Sequence, residues 1–347
     1  MKDFMEKLSK LTPGDTDLEE LCTYLFKDYK ALPQSDKTLL KAHSERIWHI
    51  LRLLKLMAEF FGDKLSFGGG AIINYLIAPH YELEPRLTFD LDTGWLPGYK
   101  AKRVVLVEIA KFNKWLADSN ETLVLPIGKE RGIPLYLVMY DREHDYFPQV
   151  LSLYIPVICR HVGEPFYSYL RNRIGVELHF SRILELKKLF EKTLGVREAK
   201  IDELRFEIAS MPNTPTIKVK QVFPGKLGEV EFLMSELEWQ IALKIVGKIG
   251  KNFGENIEYA LHDILKATVD LRLVKYLNRS RLLEHLKNLS LSPSQVLSTA
   301  EKNLKVLAEK GETYWLSFHY TYLRKKISLR ELVEEALCTI KELFSLL

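Results

Sequence analysis

The chain has 347 residues, of which 47% are hydrophobic and 28% charged, a composition typical of a soluble globular protein with a substantial core. Its longest uncharged run, 146–159, is too short to cross a bilayer, and its first residues lack the apolar core of a signal peptide. The net charge of +4 permits a nucleic-acid partner at a local patch without requiring one. Three cysteines, Cys22, Cys159 and Cys338, have neither metal-ligand nor disulfide spacing, so we expect a cytoplasmic protein that does not associate with membranes.

Residues 1–62 are predicted to be helical. Leu18–Tyr29 has the pattern of one helix, and a longer helix is predicted from Asp36 or Lys37 as far as the residue before Gly62. Apolar residues recur through the longer helix at i, i+3 and i+4 spacing, which indicates one buried face. The glycine then acts as a helix stop.

Three consecutive glycines follow the next short strand. Leu65–Phe67 is predicted to be that strand, and Gly68, Gly69 and Gly70 allow the backbone to turn with positive φ and to approach a ligand closely. Ala71–Ile77 is predicted to be a helix whose free N–H groups and dipole favour an anion. The segment therefore predicts a phosphate-binding turn.

A strand that carries two aspartates is predicted at residues 87–92, where apolar and polar residues alternate. The apolar side chains can face a core, whereas Asp90 and Asp92 project together from the opposite face. Two carboxylates in this arrangement can share one Mg²⁺ or Mn²⁺ ion, which removes the repulsion between them. Arg86, just before the strand, can neutralise phosphate charge or pair with a carboxylate.

In order and spacing, these segments resemble a known signature. A strand, Gly-Gly, a short helix and then Arg-x-Thr-x-Asp-x-Asp is similar to the signature of polymerase-β-like nucleotidyltransferases, and this form of it resembles the AbiEii branch. The residues that carry the resemblance are Arg86, Thr88, Asp90 and Asp92. The AbiEii branch comprises the toxin components of type IV toxin–antitoxin systems.

A second resemblance to the same branch lies towards the C-terminus. The family has a Glu-led helix that bears a Lys, and then a helix with an Arg-Asp or similar pair. The corresponding segments here are 235–244, which ends in Lys244, and 260–265, which contains His262 followed by Asp263. Two positions depart from the family pattern, because Gly70 stands where Ser or Thr is usual and His262 replaces the Arg. These departures leave open a second interpretation, a catalytically impaired nucleotide-binding or interaction protein of the same fold.

The resemblance implies an α+β fold, namely a polymerase-β-like mixed sheet with N-terminal helices and a C-terminal helical domain. We place the boundaries at 1–62 for the N-terminal helices, 63–233 for the nucleotidyltransferase core with a helical insertion, and 234–347 for the C-terminal helices. The implied enzyme transfers a nucleoside monophosphate from an NTP to an acceptor hydroxyl, with Mg²⁺ or Mn²⁺ as cofactor. The implied acceptor is RNA, especially a tRNA 3′ end, with protein hydroxyls as the alternative, and the branch implies a cognate antitoxin as partner.

The residues that we assign to this site carry charge or belong to the glycine turn. Catalytic roles fall to Asp90, Asp92, Lys244 and Asp263, nucleotide binding to Gly68, Gly69, Gly70, Arg86, Thr88 and Lys248, and metal binding to Asp90, Asp92 and Glu207. Glu207 is chosen as the third carboxylate because the apolar residues of 204–208 point to the other face of a predicted strand. Asp141 is the rival for that role, and a surface salt bridge is the other interpretation of Glu207.

Two of these assignments have simpler alternatives. Lys244 lies among apolar neighbours and must reach solvent or find an anion, of which triphosphate is one. Asp263 can belong to an ion-pair ladder with Lys266 and Asp270 along one helix face. The His-Asp pair also suggests a metal-dependent phosphohydrolase of the HD type, but that class needs an upstream His and none occurs from 180 to 261.

The other predicted elements complete an α/β core and a helical C-terminus. They are a helix at 103–117, strands at 121–126 and 133–140 around a basic turn at 128–132, a buried strand or helix start at 147–159, a helical insertion at 164–192, strands at 204–208, 216–223 and 229–233, and helices from 235 onwards. Ser235 and Glu238 match a capping box at the start of the first of these helices.

Local basic patches are expected beside the aspartate strand if the acceptor is RNA, because the net charge is too small for the whole surface to attract a polyanion. The candidates are Lys100–Arg103, Lys129–Arg131 and Arg324–Lys326. The last lies in a run, 318–326, that interleaves aromatic and basic side chains as a base-stacking surface does.

Overall fold

A computed structural model describes residues 2–126, 132–140, 149–290 and 292–347. Strands in these ranges number ten: β1 (Leu65–Gly68), β2 (Asp90–Trp95), β3 (Leu123–Pro126), β4 (Gly132–Leu135), β5 (Met139–Tyr140), β6 (Val150–Cys159), β7 (Glu164–Pro165), β8 (Lys200–Ser210), β9 (Thr216–Phe223) and β10 (Gly228–Ser235).

Helical segments occupy most of the remaining described chain. The α-helices are α1 (Lys2–Leu11), α2 (Asp15–Leu25), α3 (Gln34–Phe61), α4 (Gly69–Ile72), α5 (Ala78–His80), α6 (Arg103–Asp118), α7 (Phe166–Tyr169), α8 (Phe180–Leu194), α9 (Leu237–Lys244), α10 (Ile257–Asp270), α11 (Arg279–Leu289), α12 (Pro293–Lys310), α13 (Glu312–Trp315) and α14 (Leu329–Phe344). Short π-helical turns continue α4, α7 and α9, at Ile73–Ile77, Leu170–Ile174 and Ile245–Ile249.

The chain packs into two compact units. The first comprises residues up to 67, 89–214 and 218–233, and the second comprises 68–88, 215–217 and 234–347. The glycine turn therefore belongs to the unit that contains the C-terminal helices, whereas the aspartate strand belongs to the other. The predicted division at 62/63 and 233/234 stays a prediction, because compactness alone does not test it.

One mixed sheet organises the first unit, apart from the end residues of β1, β9 and β10. Its strand order is β5–β6–β8–β2–β1–β10–β9, and β7 also pairs with β8. β2 runs parallel to β8, whereas β6 and β7 run antiparallel to it. β3 and β4 form a separate antiparallel pair. These directions confirm the coarser prediction of an α+β fold with a mixed sheet.

The long helix α3 packs against β2, β6 and β8 of this sheet. Its apolar stripe is buried, as the i, i+3, i+4 spacing predicts, and the helix ends where Gly62 adopts a φ of +53°. On β8, Leu204, Phe206 and Ile208 are almost completely buried, so the alternation predicted for this strand is confirmed. Helix α6 also matches its prediction to within one residue.

Helices α9 to α14 pack around a shared apolar core in the second unit. Ile241, Leu265 and Leu304 are completely buried at its centre. Ile73, from the π-helical turn after the glycines, belongs to the same core, so the glycine segment is anchored there by apolar packing. Across the described ranges, no helix is both long enough and apolar enough to cross a membrane.

The aspartate strand begins later than predicted. Alternation predicts a strand over 87–92, whereas β2 starts at Asp90 and continues to Trp95. The backbone N–H of Thr88 donates to the Tyr75 hydroxyl at 2.8 Å, and the Tyr75 hydroxyl donates in turn to the Thr88 carbonyl. A side chain therefore takes the backbone hydrogen bonds that a strand ladder would use, which explains the late start.

The predicted capping box at Ser235 and Glu238 is wrong. Ser235 is the last residue of β10, and α9 begins at Leu237 without a side-chain cap. Glu238 instead accepts a hydrogen bond from the backbone N–H of Asn278 at 3.0 Å.

The strand predicted at 133–140 is divided in two. Tyr136 has a φ of +62°, a left-handed conformation that breaks the extended backbone between β4 and β5. Its hydroxyl donates to the Leu11 carbonyl at 2.7 Å, which holds the ring in the core. The predicted insertion at 164–192 contains β7 as well as α7 and most of α8. Lys129, Arg131 and Asp141 lie outside the described residues.

Candidate functional site

Asp90 and Asp92 lie on one face of β2, as predicted from the alternation. Both side chains are half-buried, whereas Leu91 between them is completely buried on the other face. Because β2 and β8 are parallel and in register, Asp90 lies opposite Arg205 and Asp92 lies opposite Glu207. Residues opposite each other in a sheet project from the same face. This face therefore carries three carboxylates and one guanidinium on two adjacent strands.

Glu207 contacts one residue on the neighbouring strand β6 and one on its own strand β8. Ser152 of β6 lies opposite it in the sheet and donates to Glu207 Oε1 at 3.2 Å. A guanidinium nitrogen of Arg205 lies 3.8 Å from the same oxygen, and both charged side chains are about two-fifths exposed, at 41% and 38%. Such an exposed ion pair adds little stability. The geometry therefore fits both interpretations of Glu207: its carboxylate lies on the same face as the two aspartates, and it also belongs to a surface ion pair.

The donor chemistry of this face suits a hard cation, because carboxylate oxygens are the ligands that Mg²⁺ prefers. Asp90 and Asp92 fit that requirement as a pair on one strand. Over the described ranges, however, no group of three or more His, Cys, Asp and Glu side chains is close enough to hold a metal ion. Glu207 is engaged by Arg205 and Ser152, so its role as a third metal ligand requires a rearrangement of that side chain.

The glycine turn is held by a glutamine from α9. The N–H of Gly69 donates to Gln240 Oε1 at 2.8 Å, and Gln240 Nε2 donates to the Ser235 carbonyl at 2.7 Å. Gly69 has a φ of +72°, which glycine adopts without strain. An anion at this turn would have to replace the Gln240 amide as the acceptor for that N–H.

A buried carboxylate, Asp270, organises the second unit beside the turn. Arg86 donates to it with Nε at 3.1 Å and with a terminal nitrogen at 3.0 Å, in a bidentate arrangement. Asn74 Nδ2 donates to the same carboxylate at 3.1 Å, and Lys244 Nζ lies 3.1 Å from it. The Asp270 side chain is 0% exposed and that of Lys244 is 18% exposed. We call these four residues the Asp270 network.

The Asp270 network compensates the cost of burying a charge. Burial opposes the charged carboxylate, but the Arg86 guanidinium and the Lys244 ammonium outweigh this effect and lower the pKa of Asp270 to about 2. Asp270 therefore stays ionised at neutral pH. The alternative considered for Lys244, an apolar environment that forces it to find an anion, is confirmed, and the anion is this carboxylate.

The structure also explains the glycine at position 70, where the family that the sequence resembles usually has Ser or Thr. A Cβ atom at this position would lie 2.9 Å from a terminal nitrogen of Arg86 and 3.1 Å from Thr88 Oγ1. The first distance is too short for ordinary packing. The bidentate Arg86–Asp270 pair and a side chain at position 70 therefore compete for the same space.

Lys248 and Asp263 form an ion pair with each other at 3.0 Å, and Lys266 lies 3.6 Å from Asp263 one turn along the same helix. The Asp263 and Lys248 side chains are about half exposed. The intrahelical contact with Lys266 confirms the first rung of the predicted ladder. Asp270, which that pattern included, instead belongs to the Asp270 network.

His262 lies in an aromatic cluster. Its ring is stacked on Tyr314, with centroids 5.7 Å apart, and it also contacts His319 and the buried Tyr320. Burial, with the nearby Lys266 ammonium, lowers the pKa of His262 to about 4, so the imidazole is neutral at pH 7. Tyr320 belongs to the predicted base-stacking run 318–326, but its side chain is buried in the core and is not exposed for stacking.

Sequence reasoning missed two residues that shape the second unit, Asn74 and Gln240. Each is a buried amide on a short apolar helix, and each bonds a backbone group of the glycine segment: Asn74 Nδ2 donates to the Gly70 carbonyl at 3.0 Å, and Gln240 accepts from Gly69. The sequence offered one signal for both residues: each is a polar side chain inside an apolar run, and such a side chain requires a hydrogen-bond partner when it is buried.

Comparison with protein-family models finds no match for this chain. A search of curated proteins finds none either. The functional assignment therefore depends on the motifs and on the geometry of the two units.

Proposed function

We propose that the chain is a Mg²⁺-dependent nucleotidyltransferase of polymerase-β-like fold, with Asp90 and Asp92 as its metal-binding residues. The observation that supports this proposal most strongly is the face of β2 and β8, where two half-buried aspartates two residues apart stand beside Glu207. Carboxylates that share one face repel one another, and a divalent cation bound between them reduces that repulsion.

In the proposed reaction, the oxygen of an acceptor hydroxyl attacks the α-phosphorus of an NTP. The bond to the bridging oxygen breaks, pyrophosphate leaves, and the hydroxyl proton passes to solvent. The cation supplies charge stabilisation at the phosphate oxygens when bound. Asp90 and Asp92 would hold and orient it, because both project from one face of β2. RNA, in particular a tRNA 3′ end, is the acceptor that the AbiEii resemblance favours, with a cognate antitoxin as partner.

A second candidate function is nucleotide binding without transfer. Two cations predicted to neutralise phosphate, Arg86 and Lys244, both contact Asp270, and the N–H of Gly69 donates to Gln240. A site that has to replace these internal partners binds a triphosphate less strongly than one with free donors. The phosphate-binding roles of Thr88, Lys248 and the glycines stay predictions, as does a catalytic role for Asp263.

Label transfer distinguishes these functions. The protein is incubated with Mg²⁺, total RNA and NTPs that carry label on the α-phosphate, and RNA, protein and free nucleotide are then separated. Label on RNA that is lost in Asp92→Asn and kept in Asp63→Asn, a control at an exposed carboxylate, supports the proposal. Retained NTP with no covalent label supports the second candidate, and label only on protein contradicts an RNA acceptor.

A further inference from the structure

We propose that the first unit contains a second binding site, which takes a small phosphorylated organic molecule and lies in a cavity apart from the β2 and β8 face. The cavity has a volume of about 640 Å³, within the range of small-molecule sites. Its walls come from α1, α3 and α8 and from the segments around Gly14, Glu121, Arg160 and Lys226. No residue of the Asp90 strand lines it.

The charge of the walls favours an anion. Among the described residues that line the cavity, the cationic side chains are Lys10, Arg52, Lys55, Arg160 and Lys226. The acidic ones are Asp17, Glu59 and Glu121. Five cations against these three carboxylates and Asp15, which pairs with Arg160, leave an excess of one positive charge. A concave, partly enclosed wall focuses such a field on a small ligand.

The carboxylates of the cavity are already engaged. Glu121 accepts from both Lys10 and Arg52 at 2.5 Å. Asp17 accepts from the Gly14 N–H at 2.7 Å and lies 3.4 Å from Lys226. These pairs fix the positions of Lys10, Arg52 and Lys226 around the cavity.

Two residues that line the cavity, Arg160 and Thr193, each carry a donor that lacks an acceptor in the described part of the chain. Arg160 Nε and Thr193 Oγ1 are buried, and neither has a hydrogen-bond partner among the described residues. The Arg160 backbone is fixed independently, because its N–H donates to the Glu45 carboxylate at 2.7 Å. A terminal nitrogen of its guanidinium lies 3.2 Å from the carboxylate of the exposed Asp15. Buried donors of this kind normally have acceptors, and phosphate oxygens are suitable ones.

Thr193 differs from other helical threonines of this chain. Thr23, Thr38 and Thr268 each donate to the carbonyl four residues earlier in their helix, at 2.8 to 2.9 Å. Thr193, in the last turn of α8, makes no such bond within the described chain. Its hydroxyl, in a residue that lines the cavity, therefore lacks a protein acceptor within the described ranges.

Apolar groups line the remainder of the cavity. Trp48 donates its Nε1 to the Gly225 carbonyl at 2.8 Å, so its ring is fixed and offers carbon surface, together with Leu56 and Leu227. A cavity with clustered cations and an apolar wall suits a molecule that has a phosphate at one end and a ring system at the other, as in a nucleotide or a sugar phosphate.

Calorimetric titration of the full chain tests this site. The probes are AMP, glucose 6-phosphate and inorganic pyrophosphate, in buffer with EDTA so that a metal site on β2 makes no contribution. We expect saturable binding of at least one probe, with the dissociation constant raised about ten- to a hundredfold by Arg160→Gln and by Thr193→Val, since each removes one hydrogen bond to a charged group. AMP without glucose 6-phosphate binding supports a nucleotide, and equal binding of both supports the shared phosphate chemistry.

The matched control is Lys187→Gln with Lys188→Gln, which removes charge from the exposed face of α8 and leaves the cavity unchanged. This control and Asp92→Asn should bind the probes as the wild type does. The proposal is overturned if no probe binds saturably, if Arg160→Gln and Thr193→Val bind as tightly as the wild type, or if Asp92→Asn abolishes binding. Failure of nucleotidyl transfer alone leaves the titration unaffected, so the two proposals are tested separately.

Discussion

Asp92 and Asp270 are the same residue type in contrasting environments. Asp92 is half-buried on a sheet face, and its cross-strand neighbour is another acid, Glu207. Asp270 is completely buried, and two cations and one amide surround it at 3.0 to 3.1 Å. Asp270 is compensated by cations of its own unit, whereas Asp92 is the residue at which we propose a bound metal ion. Under the proposed function, the surroundings of each carboxylate, more than its residue type, separate the structural acid from the ligand-binding one.

The largest effect expected is on activity, at Asp92. Asp92→Asn should reduce nucleotidyl transfer by at least about a hundredfold, because charge stabilisation by a bound metal is worth several kcal/mol. The melting temperature should stay the same or rise slightly, since the change removes one member of an acidic group and no core contact. A large fall in melting temperature with transfer intact would place Asp92 in the same class as Asp270.

The largest effect on stability is expected at Asp270. Asp270→Asn leaves the positive charges of Arg86 and Lys244 without their buried counter-ion, which should cost about 3–5 kcal/mol in the free energy of unfolding. Urea denaturation measures this value, with Asp263→Asn as the matched control on the same helix. A loss below about 1 kcal/mol, the range of exposed pairs, would show that the network is not compensating a buried charge.

A smaller loss is expected at Lys244. Lys244→Met keeps the length of the side chain and removes its contact with Asp270, so the free energy of unfolding should fall by about 1.5–3 kcal/mol, the cost of one hydrogen bond to a charged group. NTP affinity, measured by titration of the folded variant, should change little. If affinity falls about tenfold and stability is unchanged, Lys244 contacts phosphate, as the sequence predicted.

Acid sensitivity gives a further test of the network. The pKa of Asp270 lies at about 2, below its ordinary value of 3.8, because Arg86 and Lys244 favour the charged form over the opposing effect of burial. The unfolded chain binds the proton more readily, so this contribution to stability is complete above about pH 4 and is lost as the pH falls towards 2. Its size is on the order of 2 kcal/mol. Unfolding followed by circular dichroism in this window should show a shallower acid dependence in Asp270→Asn, and equal slopes would contradict the assignment.

The smallest effect is expected at the exposed pair Lys248–Asp263. Lys248→Gln should change the free energy of unfolding by less than about 1 kcal/mol, because both side chains are about half exposed and solvent screens their interaction. The change should also diminish as salt is added. A loss as large as that expected for Lys244 would mean that burial is a poor guide to the importance of an ion pair here.

Local sequence patterns predicted much of the fold and, in the candidate site, the placement of the two aspartates on one strand face. Periodicity identified α3, α6 and the faces of β8, and the period of a strand was enough to place Asp90 and Asp92 side by side. The left-handed Tyr136 that divides one predicted strand left no such signal, because β-propensity favours a continuous strand there.

The remainder depended on contacts between residues distant in sequence. The apolar surroundings of Lys244 predicted that it needs an anion, but its partner Asp270 is also the partner of Arg86, which is 184 residues away in the chain. Only the tertiary packing of the second unit brings these groups together. The same is true of Gln240 and Gly69, separated by 171 residues.

Binding of Mn²⁺, followed by the loss of its free electron paramagnetic resonance signal in the absence of nucleotide, tests the central contrast most directly. The account predicts saturable binding by the wild type, loss of binding in Asp92→Asn, and wild-type binding in folded Lys244→Met, because the β2 face and not the Asp270 network holds the cation. Wild-type protein that binds no Mn²⁺, or Asp92→Asn protein that binds it as tightly as the wild type, would contradict the account.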